Sequence, residues 1–258
     1  MNNLIALNNI SYDLLNGAIE DKINCHPLMF HPISKNECFG FLCREWVNKN
    51  NREFGRETED DIKFTDQQLA LLTLLMNNKH LLIPKHRETG ETLITSIYLT
   101  WEAYYNNKSI IIVSPSRHIG GEVLHRIKFM LEAIMSRNNL GRTGDNKLRF
   151  STQNGTKLSL WPSQSITTVC RPSEFSGKVA DIVYFSNAAF LINSLETYSN
   201  ALMTLRNGKG QVIMSSTSNG EDNLFYPLLT NTVENTFVKF PMINPLIPPN
   251  DPESWPFM

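Results

Sequence analysis

The segment from Lys85 to Thr92 has most of the residue types of a phosphate-binding loop. In the usual pattern, G-x-x-x-x-G-K-[S/T], backbone N–H groups at a helix N-terminus hold phosphates, and the lysine and hydroxyl contact the phosphates and Mg²⁺. Gly90 and Thr92 keep the second glycine and the hydroxyl, whereas Lys85 replaces the first glycine and Glu91 replaces the lysine. The segment therefore predicts a phosphate site whose charged residues have changed.

The elements around this segment are those that such a loop requires. An apolar strand at 81–84 precedes it and an amphipathic helix at 92–105 follows it, which is the strand–loop–helix setting of phosphate-binding loops. Further strands are predicted at 109–113, 181–185 and 211–215, helices at 67–76 and 121–136, and a hairpin between 148 and 161. Strands that alternate with helices predict an α/β fold, a P-loop NTPase-like (ASCE) mostly parallel sheet flanked by helices.

Composition suggests three regions. Residues 1–57 are predicted to be an N-terminal helical lead-in and linker, 58–240 the α/β domain, and 241–258 a tail that carries six of the thirteen prolines.

The net charge of −1 shows no global basic field, so a nucleic-acid contact would need a local patch. The four cysteines, Cys25, Cys38, Cys43 and Cys170, fit no common zinc spacing and are expected to be reduced. No stretch approaches the ~20 apolar residues of a membrane span, so we expect no membrane contact.

A polar string after the last predicted strand carries a family resemblance. Residues Ser216, Thr217, Ser218, Asn219 and Gly220, followed by Phe225 and Tyr226, are similar to the coupling motif S-T-P-N-G with its trailing F-Y in phage large terminases. The order of elements from about residue 64 to 226 also resembles the ATPase domain of these DNA-packaging motors. The resemblance implies ATP and Mg²⁺ as cofactors and double-stranded DNA, a portal or other packaging-motor subunits as partners. It also implies the cytoplasm of an infected bacterial host, and it leaves the terminase nuclease domain outside this chain.

The same resemblance assigns nucleotide-binding roles to residues in and near the loop. A glutamine upstream of the loop contacts adenine in the family, and Gln68 lies at the matching distance. Some terminases carry the loop lysine at the first position, so Lys85 is expected to reach the phosphates while Glu91 turns to solvent. Thr92 would hold Mg²⁺, and the remaining loop residues with expected roles are Arg87, Thr89 and Gly90.

Three positions depart from the family pattern where charge is needed. Ser186 and Asn187 stand where an Asp-Glu pair holds Mg²⁺ and activates water, and Ser176 stands where an arginine is common. Phosphoryl transfer depends on such charged groups, and neither Ser186 nor Asn187 is acidic. Asp181 cannot substitute, because it lies about 17 Å back along the strand. We therefore expect a catalytically impaired pseudo-ATPase that binds nucleotide, DNA or packaging partners, with enzyme status open.

Two other functions are compatible with the sequence. In the first, the chain is an active ATPase subunit of a packaging motor that uses Lys85 and an acid from Glu221, Asp222 or a neighbouring subunit. In the second, it is a DNA-binding or interaction module without nucleotide, in which a basic stretch contacts phosphates. The residues of that stretch are Arg137, Arg142, Lys147 and Arg149.

Overall fold

The computed structural model describes residues 64–137, 141–146, 149–153, 155–163, 179–244 and 246. Within them the helices are α1 (Asp66–Asn77), α2 (Glu91–Tyr105), α3 (Arg117–Arg137), α4 (Ser194–Leu202) and α5 (Phe225–Thr230). The strands are β1 (His80–Pro84), β2 (Ile110–Ser114), β3 (Arg142–Asp145), β4 (Arg149–Thr152), β5 (Lys157–Pro162), β6 (Ile182–Ser186), β7 (Gln211–Ser216) and β8 (Val238–Lys239). The predictions for the N-terminal lead-in, the cysteines, Lys147 and Ser176 lie outside the described residues.

The strands form one sheet in the order β3-β4-β5-β2-β6-β7-β1-β8. Pairing is parallel from β5 to β8, and β3 and β4 add an antiparallel edge. The predicted mostly parallel α/β sheet is therefore confirmed. Ser215 of β7 pairs with both Ile83 of β1 and Ser186 of β6, so the carboxyl ends of these three strands lie side by side. In open α/β sheets, ligands bind at that edge.

Helices cover both faces of the sheet. Apolar residues of α1, α2 and α3 pack on one face with Leu81, Ile83 and Tyr184, while α4 and α5 pack on the other with Leu82 and Val183. Neighbouring strand residues point to opposite faces, and both faces are buried, which explains why these strands are continuous apolar runs. Among the described helices, none is both long and apolar enough to cross a membrane.

One predicted helix boundary is wrong. Helix α3 begins at Arg117 rather than at residue 121, and the hydroxyl of Ser116 accepts a hydrogen bond from the backbone N–H of Ile119 in its first turn. Beyond the predicted domain boundary at residue 240, Met242 is only 1 % exposed and forms a parallel bridge with Lys85. A proline-rich composition does not prevent the beginning of this segment from extending the sheet edge.

Candidate functional site

The loop between β1 and α2 is fixed at its base by neighbouring backbone. The backbone N–H of Lys85 donates to the carbonyl of Ser216 at 2.9 Å, and that of His86 donates to the carbonyl of Met242 at 2.9 Å. At the other end of the loop, Gly90 has φ of +76°, a left-handed conformation that glycine adopts without strain. A β-carbon there would lie 2.3 Å from the side-chain nitrogen of Gln68, so the loop requires glycine at this position.

Gln68, the predicted adenine contact, connects α1 to the loop. Its Oε1 accepts from the backbone N–H of Thr65 at 3.1 Å, completing a capping box at the start of α1. Its Nε2 donates to the carbonyl of Thr89 at 3.1 Å. The side chain therefore supports the loop backbone, and contact with adenine stays a prediction.

Lys85 and Glu91 form an ion pair beneath the loop. The ammonium of Lys85 lies 2.5 Å from Oε2 of Glu91 and also donates to the hydroxyl of Thr92 at 2.9 Å. Glu91 is 1 % exposed, so the expectation that it turns to solvent is wrong. It points inward because the first turn of α2 faces the sheet, where other side chains offer it hydrogen-bond donors.

Each oxygen of the Glu91 carboxylate accepts two hydrogen bonds. Oε1 accepts from the hydroxyls of Thr95 at 2.8 Å and Tyr184 at 3.2 Å, and Oε2 accepts from Lys85 and from Thr92 at 3.2 Å. Burial acts to raise the pKa of Glu91, but the ammonium of Lys85 and the donated hydrogen bonds outweigh it, so the pKa lies below its usual value. Burial and the charge of Glu91 raise the pKa of Tyr184, which keeps that hydroxyl neutral and able to donate.

The end of β6 brings neutral groups to the same place. Ser186 is 2 % exposed, and Asn187 follows it with φ of 54° in the left-handed region. Tyr184, two residues earlier, also hydrogen-bonds to the hydroxyl of Ser215 at 3.0 Å. Asp181 lies at the opposite end of β6, where its carboxylate accepts from Nε of Arg206 at 2.8 Å. As predicted, its carboxylate is not available at the loop.

The predicted coupling motif holds the backbone that follows β6. The hydroxyl of Ser216 accepts from the backbone N–H of Ala189 at 3.1 Å and donates to the carbonyl of Thr217 at 2.8 Å. The side-chain amide of Asn219 donates to the carbonyl of Ala189 at 2.9 Å. Ser216 and Asn219 therefore bind both backbone polar groups of Ala189, just beyond Ser186 and Asn187. Ser218 and Gly220 lie in the turn that follows, where Gly220 has φ of +65°.

A cleft of about 630 Å³ opens above the loop and these strand ends. Lys85, Arg87 and Arg126 bring positive charge to it, and Glu88 and Glu91 bring negative charge. Its other lining residues are His86, Thr89, Gly90, Thr92, Leu93, Pro115, Ile119, Asn187, Phe190 and Thr217. The exposed acids Glu221 and Asp222 are not among them.

Arg126 of α3 lies in the wall of this cleft. It is partly buried, and burial lowers the pKa of its guanidinium. Nothing in the sequence analysis indicated that Thr95 and Tyr184 would hold Glu91. Thr95 follows Glu91 by one helical turn, and this i, i+4 spacing is the signal that could have indicated a hydrogen bond on the buried face.

Residues 241–244 form a second support for the loop, here called the strap. The backbone N–H of Asn244 donates to Nδ1 of His86 at 3.2 Å, and its side chain donates to the carbonyl of Arg87 at 3.3 Å. The backbone N–H of Ile243 donates to the side chain of Gln67 at 3.0 Å. The strap thereby ties α1 and the loop to the sheet edge.

The strand end at the cleft does not fit Mg²⁺. A hard dication prefers carboxylate oxygens, but the end of β6 offers only Ser186 and Asn187. The hydroxyl of Thr92 is already bonded to both partners of the Lys85–Glu91 pair. Within the described residues, no group of three or more His, Cys, Asp or Glu side chains is placed to hold a metal ion.

The predicted basic stretch is partly neutralised by ion pairs. Arg142 lies 2.9 Å from Glu132 and 3.3 Å from Asp145, and Lys128 of α3 lies 2.5 Å from Asp145. Arg149 is exposed at the start of β4. These pairs reduce the charge that this edge presents to a DNA phosphate.

No protein-family model matches the chain. Among solved structures, the large terminase ATPase domain of Thermus phage P74-26 matches with a TM-score of 0.50 and 16 % identity, over 69 % of this chain and 72 % of that domain. The large terminase of another thermophilic bacteriophage, solved in complex with ADP, gives 0.50 and 12 %, over 70 % of this chain and 45 % of that one. The HK97 bacteriophage large terminase gives 0.51 and 12 %, over 66 % and 37 %.

At identities this low, the structural matches establish similarity of fold and nothing more. The chain has the fold of phage large terminase ATPase domains, and it spans less than half the length of the ADP-bound terminase and of the HK97 protein.

Proposed function

We propose that this chain is a terminase-like protein of viral DNA packaging that has lost ATP hydrolysis, a pseudo-ATPase that acts by binding nucleotide, DNA or packaging partners such as a portal. The observation that carries the proposal is the buried Lys85–Glu91 pair, 2.5 Å across, beside a strand end without an acid. The fold supports the packaging context, and the ADP complex of the thermophilic-phage terminase supports nucleotide as the ligand class.

Hydrolysis requires charges that this cleft does not supply. Phosphoryl transfer is catalysed by positioned cations and by a group that orients or deprotonates the attacking water. Asn187 lines the cleft and can orient water through its amide, but an amide cannot take a proton at neutral pH. Ser186 is buried and neutral, so neither residue supplies the charge of the missing acids.

The lysine is also held back from an incoming phosphate. Moving Lys85 to a phosphate would leave the carboxylate of Glu91 buried without its counter-charge. Breaking a buried pair in this way costs about 3–5 kcal/mol. That energy corresponds to a loss of roughly 10²- to 4 × 10³-fold in affinity for any ligand that must recruit the lysine.

An active ATPase is the second candidate, because Lys85 lies in the loop with its ammonium 2.9 Å from the hydroxyl of Thr92. This position supports a relocated loop lysine. Glu221 and Asp222 are exposed and do not line the cleft, so the acid would have to come from a neighbouring subunit. Turnover that appears only with DNA and procapsids would favour this candidate.

The test is ATP turnover by the full chain with excess Mg²⁺, measured beside calorimetric binding of the same nucleotide. We expect phosphate release at the background rate for the wild-type protein and for Lys85→Ala. Mg²⁺-dependent release by the wild type, abolished in Lys85→Ala, would establish the active ATPase instead. Release that persists in Lys85→Ala would reject both the pseudo-ATPase and the assignment of the lysine.

A further inference from the structure

We infer that the cleft binds a polyphosphate chain as the metal-free anion and binds its Mg²⁺ complex more weakly. The inference rests on the proposed function, because it concerns the same cleft. It assigns the ligand form that the cleft selects, which is the reverse of the metal dependence expected from an intact phosphate-binding loop.

The hydroxyl of Thr92, which would hold the metal, already contacts both members of the ion pair. Thr92 accepts a hydrogen bond from the ammonium of Lys85 at 2.9 Å and donates one to Glu91 at 3.2 Å. Its proton and an oxygen lone pair are therefore used by the ion pair. Binding Mg²⁺ through the remaining lone pair would place a dication next to the ammonium of Lys85, which repels it.

The carboxylates near the cleft do not lie at the strand end. Mg²⁺ in nucleotide sites is usually bound through one or two carboxylates together with the substrate phosphates. Glu91 already accepts four hydrogen bonds, and Glu88 lies exposed in the turn of the loop. Ser186 and Asn187 are uncharged, so a metal ion brought in by the phosphates finds no anionic ligand at the strand end.

Two arginines of the cleft can bind phosphate without a metal ion. Beside the Lys85–Glu91 pair, Arg87 on the loop and Arg126 on α3 bring guanidinium groups to the lining of the cleft. Guanidinium groups donate two parallel hydrogen bonds to phosphate oxygens and need no metal to do so. The two arginines come from different elements of the cleft wall, a placement suited to an extended anion.

Mg²⁺ should therefore lower the affinity of the cleft for polyphosphate. Mg²⁺ cancels two negative charges of a triphosphate, which weakens its attraction to the arginines. In an ordinary site this loss is offset by bonds from the metal to acidic side chains, and here those side chains are replaced. Metal-free polyphosphate is therefore the better ligand.

The phosphate chain could belong to a nucleotide or be inorganic. Gln68, the predicted adenine contact, is not among the residues that line the cleft. The shared chemistry is a chain of phosphates. Equal affinity for ATP and inorganic triphosphate would show that phosphates alone are recognised, and tighter binding of ATP would show that the base contributes.

The experiment is calorimetric titration of the full chain at constant ionic strength, with ATP in EDTA and with ATP in excess Mg²⁺. We expect the dissociation constant in EDTA to be lower by about tenfold or more, the scale of one charge-assisted contact. Inorganic triphosphate, titrated in both buffers, should show the same order. Arg87→Gln should weaken binding in EDTA by about tenfold, while the control Arg117→Gln, an exposed arginine of α3 outside the cleft lining, should leave it unchanged.

Three results would overturn the inference: binding that is equal or tighter with Mg²⁺, no binding in either buffer, or an Arg87→Gln affinity equal to that of the wild type. Phosphate release measured in the same samples separates this failure from that of the proposed function. Tighter binding with Mg²⁺ and no release rejects only the metal-free ligand. Mg²⁺-dependent release rejects the pseudo-ATPase.

Discussion

Beneath the loop, the buried polar groups are charged, whereas at the adjoining ends of β6 and β7 they are neutral. Lys85 and Glu91 compensate each other within 2.5 Å, and the hydroxyls around Glu91 complete its hydrogen bonds. At the neighbouring strand ends, Ser216 and Asn219 bond to the backbone of Ala189 without any charge. In both regions these polar groups have hydrogen-bond partners, but the region beneath the loop depends on keeping both members of an ion pair. A single substitution should therefore have unequal consequences in the two regions.

The largest effect is expected from Lys85→Met. It removes the cation and leaves Glu91 buried, which should lower the free energy of unfolding by about 3–5 kcal/mol in urea denaturation. The double variant Lys85→Met with Glu91→Gln removes both charges at similar volume and should recover most of that loss. A single-variant loss below about 1 kcal/mol would show that the pair is not buried as described.

Acidification should remove the contribution of Glu91 without mutation. Because its pKa is lower in the folded than in the unfolded chain, its stabilising effect is complete above the ordinary glutamate pKa of about 4.3. The effect is lost as pH falls through the lower folded-state value. One such group changes stability by at most about 1.4 kcal/mol per pH unit.

The measurement compares the wild type with the uncharged double variant. The wild type should lose stability relative to the double variant as pH is lowered from about 5 through the ordinary glutamate pKa. A difference that stays constant over this range would contradict the assigned ionisation of Glu91.

In the neutral region, Ser216→Ala should have an intermediate effect. The hydroxyl is buried, and its removal leaves the backbone N–H of Ala189 without this acceptor, which should lower the free energy of unfolding by about 1–3 kcal/mol. Ser218→Ala in the same motif, at a partly exposed position, is the matched control and should stay within about 0.5 kcal/mol of the wild type. Equal losses in both variants would mean that the motif is not held through Ser216.

The smallest effect is expected from Tyr184→Phe, which removes one neutral donor from the charged region. Glu91 keeps its ion pair with Lys85 and two other hydrogen bonds, from Thr92 and Thr95, so the loss should be about 1 kcal/mol. Tyr198→Phe is the control, because the ring of Tyr198 packs on Phe185 at 5.7 Å between centroids and that packing is retained. A loss as large as that of Lys85→Met would show that hydrogen bonding, and not charge pairing, stabilises Glu91.

The sheet and the loop could be predicted from sequence because their signals are local. Apolar runs of four or five residues indicated β1, β2, β6 and β7, and helical spacing indicated most of α2 and α3. The polar string after β7, the predicted coupling motif, lies beside the loop because parallel strands end at the same edge.

The inward position of Glu91 could not be predicted in the same way. Glutamate is almost never fully buried unless it is paired, so the sequence favoured an exposed side chain. Its partner Tyr184 is separated from it by 93 residues and lies in a strand whose pattern is uniformly apolar. The strap was missed because proline content indicated a tail, whereas Met242 and Asn244 make their contacts through tertiary packing.

The left-handed backbone of Asn187 would oppose an acidic residue at this position. Asparagine tolerates φ of 54°, but other residues with a β-carbon are strained there by about 1–2 kcal/mol. Glutamate at this position alone would therefore add strain, while Ser186 and Glu91 stayed unchanged. Changing Glu91 to lysine alone would place a second ammonium beside Lys85 and give the buried hydroxyls of Thr95 and Tyr184 no carboxylate. Each of these single substitutions is therefore expected to destabilise the fold.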